Sequence, residues 1–188
     1  MTETHVFNRH RARWTALTVA VLLVGFGVVL AVQHRTEVSV PRLVQEHKPA
    51  PAFELTTIDR NQISSQSLAG KTYVVNFWNS WCIPCQQEEP ALQTFYAAHR
   101  GQPDFAMIGI VRDDTVGSIR SYVAAKAIPW AVAFDPSGST ELGFGTTGQP
   151  ETYVISPTGV AACGGLGPVT DADLEAWLQV ARSGAVCG

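Results

Sequence analysis

The chain runs YVVNFWNSWCIPC at residues 73–85. The first six of these residues, Tyr73 to Trp78, are almost all apolar and predict a buried strand. Cys82 and Cys85 follow at the predicted start of a helix. A disulfide between them would add little stability, because closing so short a loop removes little entropy from the unfolded chain. The spacing therefore favours a dithiol that is oxidised and reduced reversibly at a strand-to-helix turn.

The residues on either side predict an α/β domain with one central sheet. Apolar segments predict strands at 53–57, 62–64, 72–78, 105–111, 130–134, 152–155 and 160–164. Helical spacing predicts helices after the cysteines, at 118–126, at 140–144 and after a capping pattern at 170–173. This order of elements predicts a mixed sheet with helices on both faces.

These residues resemble the thioredoxin superfamily, and within it the membrane-anchored thiol–disulfide oxidoreductases of the TlpA/ResA/DsbE (CcmG) group. The resemblance lies in residues 76–85, in Glu88 and Pro90, and in residues 148–155, GQPETYVI. It covers roughly the last three quarters of the chain, which is one domain-sized unit. It implies a thioredoxin-like fold and thiol–disulfide exchange as the activity.

The cysteines are the first candidate catalytic residues. The N–H groups and the dipole at a helix N-terminus lower the pKa of a cysteine placed there. Cys82 is therefore the expected nucleophile, and Cys85, one turn deeper, is expected to resolve the mixed disulfide.

Glu88 is the third candidate catalytic residue. It lies on the same helical face as Cys85, and related oxidoreductases carry a functional glutamate at the matching position, which implies proton transfer to or from Cys85. A solvated helix face is the alternative for Glu88 and the expectation for Glu89. Thioredoxin carries a buried aspartate where this chain has Asn76, which we expect to be a hydrogen-bonded core amide.

Trp81, Gln149 and Pro150 are predicted to bind substrate. Pro150 matches the cis-proline that faces the dithiol in this superfamily, although only about one X–Pro bond in twenty is cis in folded proteins. The resemblance implies that the backbone of Gln149 hydrogen-bonds to an extended substrate. Trp81 is expected to shield the dithiol.

The N-terminal part predicts a membrane anchor. Residues 14–32 are nineteen residues without a charge, long enough to cross a bilayer as a helix, and three arginines at 9, 11 and 13 favour a cytoplasmic start. We predict a cytoplasmic tail at 1–13, a transmembrane helix at 14–32, a linker at 33–48 and an extracytoplasmic thioredoxin-like domain at 49–188. A cleaved secretory signal is the alternative, and it also exports the domain.

The composition of the domain argues against a nucleic-acid-binding surface and against a metal site. From residue 49 onward there are seven Lys/Arg and thirteen Asp/Glu, a net charge of −6, which disfavours contact with phosphates. A zinc site lacks ligands, because His99 is the only histidine of this part. Covalent haem attachment needs a histidine after the second cysteine, where Gln86 stands. We predict no metal and no cofactor.

Cys163 and Cys187 lie outside the motif. The last predicted helix must fold back over the sheet to bury its apolar face, which returns its end towards the strand that holds Cys163. We predict a structural disulfide between them, which an oxidising compartment permits. Two unpaired cysteines are the alternative.

We therefore expect a reductant of protein disulfides, for example of apocytochrome c before haem attachment. A membrane electron donor of the DsbD or CcdA type would supply the electrons. Three alternatives stay open at this point: an oxidase that introduces disulfides, a thiol peroxidase and a non-catalytic copper-binding module.

Overall fold

The computed structural model describes residues 4–33 and 48–187. The chain divides into two compact units; the first contains helix α1 (Thr4–Gln33) and the second contains residues 48–187. Residues 1–3 of the predicted tail and 34–47 of the predicted linker lie outside the described residues. Within the described residues, no helix is both long and apolar enough to cross a membrane. The transmembrane helix predicted at 14–32 is thus not shown, and like the domain boundaries it stays a prediction.

The second unit contains seven strands and four α-helices. The strands are β1 (Glu54–Thr57), β2 (Gln62–Ser64), β3 (Thr72–Phe77), β4 (Phe105–Val111), β5 (Ala131–Phe134), β6 (Glu151–Ile155) and β7 (Ala161–Leu166). The helices are α2 (Ile83–His99), α3 (Val116–Lys126), α4 (Ser139–Phe144) and α5 (Asp171–Arg182). The strands and helices predicted for this unit are present, with bounds that differ by one or two residues.

The seven strands form one mixed sheet in the order β2-β1-β5-β4-β3-β6-β7. The central strands β3, β4 and β5 are parallel, and the strands outside them pair antiparallel. All six residues of β3 are buried, as its apolar run predicts for a strand covered on both faces. The predicted α/β fold with a mixed sheet is confirmed.

Each face of the sheet is covered by its own apolar core. On one face, side chains of α2, α3 and α5 pack against alternate residues of β3, β4 and β6, and this core contains both Cys82 and Cys85. The other face is covered more thinly, by Phe144 of α4, Leu68 of a short 3-10 helix and Phe53, the residue before β1. The dithiol therefore belongs to the more heavily covered face.

A second disulfide joins β7 to the end of the chain. Cys163 is bonded to Cys187, with their Cα atoms 5.1 Å apart, as predicted. The backbone N–H of Cys187 also donates to the carbonyl of Ala162 at 2.8 Å. Helix α5, which begins at a capping box formed by Thr170 and Asp173, lies inside the loop that this disulfide closes.

Candidate active site

The dithiol lies where the buried strand β3 turns into α2. Cys82 is the N-cap residue of this helix, and its sulfur accepts a hydrogen bond from the backbone N–H of Cys85 at 3.2 Å. Pro84 fits the first turn, because the N–H that proline lacks has no helical partner there. The local sequence thus places the first sulfur against the free N–H groups of the helix, which favours its thiolate form.

In this oxidised form the two cysteines are bonded, with Cα atoms 5.2 Å apart. Their exposed fractions are nearly equal, 5% for Cys82 and 4% for Cys85, so exposure does not distinguish a nucleophile from a resolving cysteine. Their surroundings do. Cys82 lines an open cleft of about 570 Å³, whereas Cys85 faces a small interior pocket. An incoming disulfide can therefore approach Cys82 but not Cys85.

Gln149 also lines the cleft, and its peptide bond with Pro150 is cis, as predicted. The Gln149 side chain is held at both ends: its oxygen accepts from Asn79 Nδ2 at 2.7 Å and its Nε2 donates to Glu141 Oε1 at 2.9 Å. Glu141 in turn lies 3.2 Å from Arg112 Nε. This polar network fixes the wall of the cleft opposite the cysteines.

The sequence analysis did not identify Asn79, Glu141 or Arg112. Glu141 is positioned by Asp135, whose carboxylate caps α4 by accepting from the N–H of Thr140 and of Glu141 at 2.8 and 3.1 Å. A buried acid before a short helix was the available signal, since aspartate is a favoured cap. Nothing in the sequence indicated that α4 would lie beside the cysteines.

Large apolar side chains stand exposed at the rim of the cleft. Trp81, Ile83 and Leu142 are 61%, 69% and 81% exposed, and all three line the cleft. Trp81 Nε1 donates to the carbonyl of Asp113 at 2.9 Å, which holds the ring at the edge. The ring of Trp81 is an exposed apolar surface beside Cys82, and its role in shielding the dithiol stays a prediction.

Glu88 is 2% exposed, so the alternative of a solvated helix face is wrong. Its Oε1 accepts from Asn76 Nδ2 at 2.8 Å and its Oε2 accepts from the N–H of Val169 at 3.1 Å. Burial raises the pKa of Glu88 to about 7, although the two hydrogen bonds act in the opposite direction. A carboxylic acid with a pKa near neutrality can both give and accept a proton at physiological pH.

Asn76 is a satisfied core amide, as expected, and it holds Glu88. Its Nδ2 also donates to Thr152 Oγ1 at 2.9 Å. The expectation for Glu89 was wrong: Glu89 is buried, with 6% exposed, and its Oε2 lies 3.5 Å from Lys126 Nζ of α3. Helix α3 covers the side of α2 that was expected to face water.

We expect Glu88→Gln to change how stability depends on pH. The carboxyl of Glu88 keeps its proton in the folded chain up to a pKa of about 7 but loses it near 4.5 when unfolded. Folding stability should therefore be full below pH 4.5 and fall by about 2 to 3 kcal/mol as the pH rises through 7. Glutamine, which does not ionise, should remove this fall. Urea denaturation of the full chain between pH 4 and 8 measures it.

The control is Glu54→Gln, because Glu54 is exposed on β1. It should keep the pH dependence of the parent chain. If the free energy of unfolding depended on pH in the same way in the parent and in Glu88→Gln, Glu88 would ionise in the folded chain as easily as in water.

Among the described residues, no group of three or more His, Cys, Asp or Glu side chains could hold a metal ion. The prediction that the chain needs no metal and no cofactor stays a prediction.

Comparison with known proteins places this geometry in a family. The model of the AhpC/TSA family matches residues 47–162. The thiol-disulfide oxidoreductase ResA of Bacillus cereus (strain ATCC 10987 / NRS 248) is 26% identical over 161 residues, which is 86% of this chain and 92% of ResA. The thiol:disulfide interchange protein DsbE of Xylella fastidiosa (strain Temecula1 / ATCC 700964) is 34% identical over 116 residues, 60% of this chain and 57% of DsbE.

Solved structures agree with these relatives. The crystal structure of a thioredoxin-family thiol:disulfide interchange protein from Chlorobium tepidum TLS superposes with a TM-score of 0.65 and 28% identity, over 72% of this chain and 97% of that protein. The structure of MTB dsbF in mixed oxidised and reduced forms gives a TM-score of 0.63 and 27% identity, over 69% and 95% of the two chains.

Proposed function

This chain belongs to the AhpC/TSA family and is a thioredoxin-like thiol–disulfide oxidoreductase; from that premise we propose that it works outside the cytoplasm as a reductant of protein disulfides. The observation that carries the proposal is the position of Cys82. It caps α2 and lines an open cleft, while its partner Cys85 faces the interior. A disulfide substrate is large, and this cleft gives it access to one sulfur only.

The reduction consumes one dithiol for each substrate disulfide. The Cys82 thiolate attacks a substrate sulfur, a mixed disulfide forms, and the other substrate sulfur leaves as a thiolate. The Cys85 thiolate then attacks the Cys82 sulfur, which forms the Cys82–Cys85 bond and releases the second substrate thiolate. Two electrons must return to the enzyme for each turnover. We propose a membrane electron donor of the DsbD or CcdA type as their source, because an exported compartment is oxidising.

The surface of the cleft supports a polypeptide substrate. An exposed apolar rim of Trp81, Ile83 and Leu142 surrounds Cys82, and such a patch favours contact with the apolar side chains of an unfolded or extended chain. Gln149, whose bond with Pro150 is cis, also lines the cleft. The proposed substrate is an extended segment that contains a disulfide, for example the C-x-x-C-H segment of apocytochrome c.

The reduction potential tests the direction of electron flow. We expect the Cys82–Cys85 couple of the full chain, equilibrated in glutathione buffers, to lie nearer to thioredoxin at about −270 mV than to DsbA at about −120 mV. The reduced chain should also reduce an oxidised C-x-x-C-H peptide. A potential near that of DsbA would make the protein an oxidant. Rapid turnover of peroxide, or tight copper binding with no disulfide exchange, would replace the proposal with a peroxidase or a copper module.

The location is proposed from the sequence of residues 14–32 and the arginines before them. We expect a reporter fused after Gly188 to be active outside the cytoplasm and to sediment with membranes. Removing residues 14–32 should leave the reporter in the cytoplasm. Release of a shortened soluble protein would favour a cleaved signal, and a reporter that is active only inside the cytoplasm would overturn the location.

A further inference from the structure

A small pocket lies on the interior side of the dithiol. Its volume is about 10 Å³, which is enough for about one water molecule. Three residues of α2 line it, Cys85, Glu89 and Leu92, and so do the indole rings of Trp78 and Trp130. This pocket is separate from the open cleft, which Cys82 lines and Cys85 does not.

The two indole N–H groups of this pocket need an acceptor. Trp78 and Trp130 are 5% and 6% exposed, and neither Nε1 has a hydrogen-bond partner among the described residues. The two Nε1 atoms lie close together beside Gly109 of β4: a Cβ built on Gly109 would lie 2.5 Å from the Nε1 of Trp78 and 3.4 Å from that of Trp130. A buried donor without an acceptor destabilises the fold. One water that accepts from both indoles would remove this destabilisation and keep two hydrogens to donate.

Glu89 connects the pocket to the surface. Its Oε2 lies 3.5 Å from Lys126 Nζ, and the Lys126 side chain is 45% exposed. Gln93 donates to the other oxygen of Glu89. The pKa of Tyr122, which also lines the pocket, is raised first by burial and then by the charge of Glu89. The titratable groups around the pocket are thus Cys85, Glu89 and Tyr122, with Lys126 at its mouth.

Glu88 lacks such a route. Both of its oxygens accept hydrogen bonds from interior groups, Asn76 and the N–H of Val169, and it is 2% exposed. Glu88 can hold a proton near Cys85, but the described residues offer it no charged neighbour at the surface. Glu89 has one in Lys126.

We propose that the pocket binds one ordered water which joins Cys85 to Glu89, and that Glu89 with Lys126 exchanges the Cys85 proton with solvent. The inference rests on the proposed thiol–disulfide exchange. As Cys85 resolves a mixed disulfide, its thiol replaces one indole N–H as a donor to the water, and the proton passes through the water to the Glu89 carboxylate. The thiolate attacks the Cys82 sulfur, the Cys82–Cys85 bond forms, and the substrate leaves as a thiolate that takes a proton from solvent. Glu89 then releases its proton beside Lys126.

The test measures the pKa of Cys85 in a full chain that carries Cys82→Ser, by the ultraviolet absorbance of the thiolate. In that background Glu89→Gln removes a like charge and should lower the pKa of Cys85 by about 1 unit, whereas Lys126→Met removes a cation and should raise it. Shifts of opposite sign identify an electrostatic link to Cys85, since general loosening of the fold would move both variants the same way. The matched controls are Glu54→Gln on β1 and Lys71→Met just before β3, neither of which lines the pocket, and both should leave the pKa of Cys85 unchanged.

A second measurement detects the water directly. It uses the parent chain, so it still tests the proposal if a variant does not fold. A crystal structure of the oxidised full chain should show one water within hydrogen-bonding distance of both Nε1 atoms, and Trp130→Phe, which keeps an aromatic side chain but removes one donor, should displace it. Equal pKa values in the parent, Glu89→Gln and Lys126→Met, or a pocket without that water, would overturn the proposal. The proposed function would stand in that case if the unmodified chain still reduces disulfides, and it would fail separately if it does not.

Discussion

Replacing Cys82 by serine should abolish disulfide exchange, whereas replacing Cys85 by serine should leave the chain covalently bound to its substrates. Cys82 lines the open cleft and is the sulfur that a substrate can reach. Cys85 faces the interior pocket, so its loss removes only the second step, and the mixed disulfide at Cys82 then has no resolving thiol. The measurement is reduction of an oxidised C-x-x-C-H peptide, followed by non-reducing electrophoresis of each variant.

The control is the double variant Cys163→Ala/Cys187→Ala, which removes the other disulfide and should still exchange. Trapped complexes must disappear on addition of a reductant. If Cys82→Ser forms the stable complexes and Cys85→Ser forms none, the roles of the two cysteines are reversed and the assignment of the cleft as the substrate site is wrong.

The parts of the fold that local sequence determines were predictable. The apolar run of β3, the proline in the first turn of α2 and the capping box of α5 each act within a few residues, and short-range rules describe such effects. The cis bond before Pro150 is different. Base rates for X–Pro bonds favour trans, and the prediction came from resemblance to a family.

The parts that depend on long-range contacts were not predictable from one sequence. Glu88 accepts a hydrogen bond from Val169, 81 residues away, and Gln149 is held by Asn79, 70 residues away. The burial of Glu89 depends on α3, which brings Lys126 to the side of α2. One signal was available: positions three and four residues after Cys85 both lie on its helical face, so Glu89 deserved the same consideration as Glu88.

The two disulfides of this chain have different physical consequences, because they close loops of very different length. Cys82 and Cys85 are three residues apart and Cys163 and Cys187 are 24 apart. The loss of chain entropy in the unfolded state grows with the length of the closed loop. The short bond therefore suits reversible chemistry, and the long bond suits stabilisation of the fold.

We expect Cys163→Ala/Cys187→Ala to lower the free energy of unfolding by about 3 kcal/mol. This corresponds to a fall in Tm of roughly 10 °C for a domain of this size. Cys163 is fully buried, and its bond pins the end of the chain against β7, beyond helix α5. Urea denaturation followed by tryptophan fluorescence measures the change, with the Cys82–Cys85 bond oxidised in both proteins. The matched control, Cys82→Ser/Cys85→Ser, removes the disulfide that closes the short loop. Its free energy of unfolding should fall by less than that of Cys163→Ala/Cys187→Ala.

The same loop contains Val169, which donates to Glu88, so the double variant should also show whether the long disulfide affects the active site. If it only stabilises the fold, disulfide exchange under strongly native conditions should be unchanged while the midpoint of denaturation falls. Equal stability of the double variant and the parent, or two alkylatable thiols at 163 and 187 in the native protein, would contradict a structural disulfide. Mass mapping of the non-reduced chain should instead give a Cys163–Cys187 peptide that survives the mild reduction which opens Cys82–Cys85, because Cys163 is fully buried whereas Cys82 lines the open cleft.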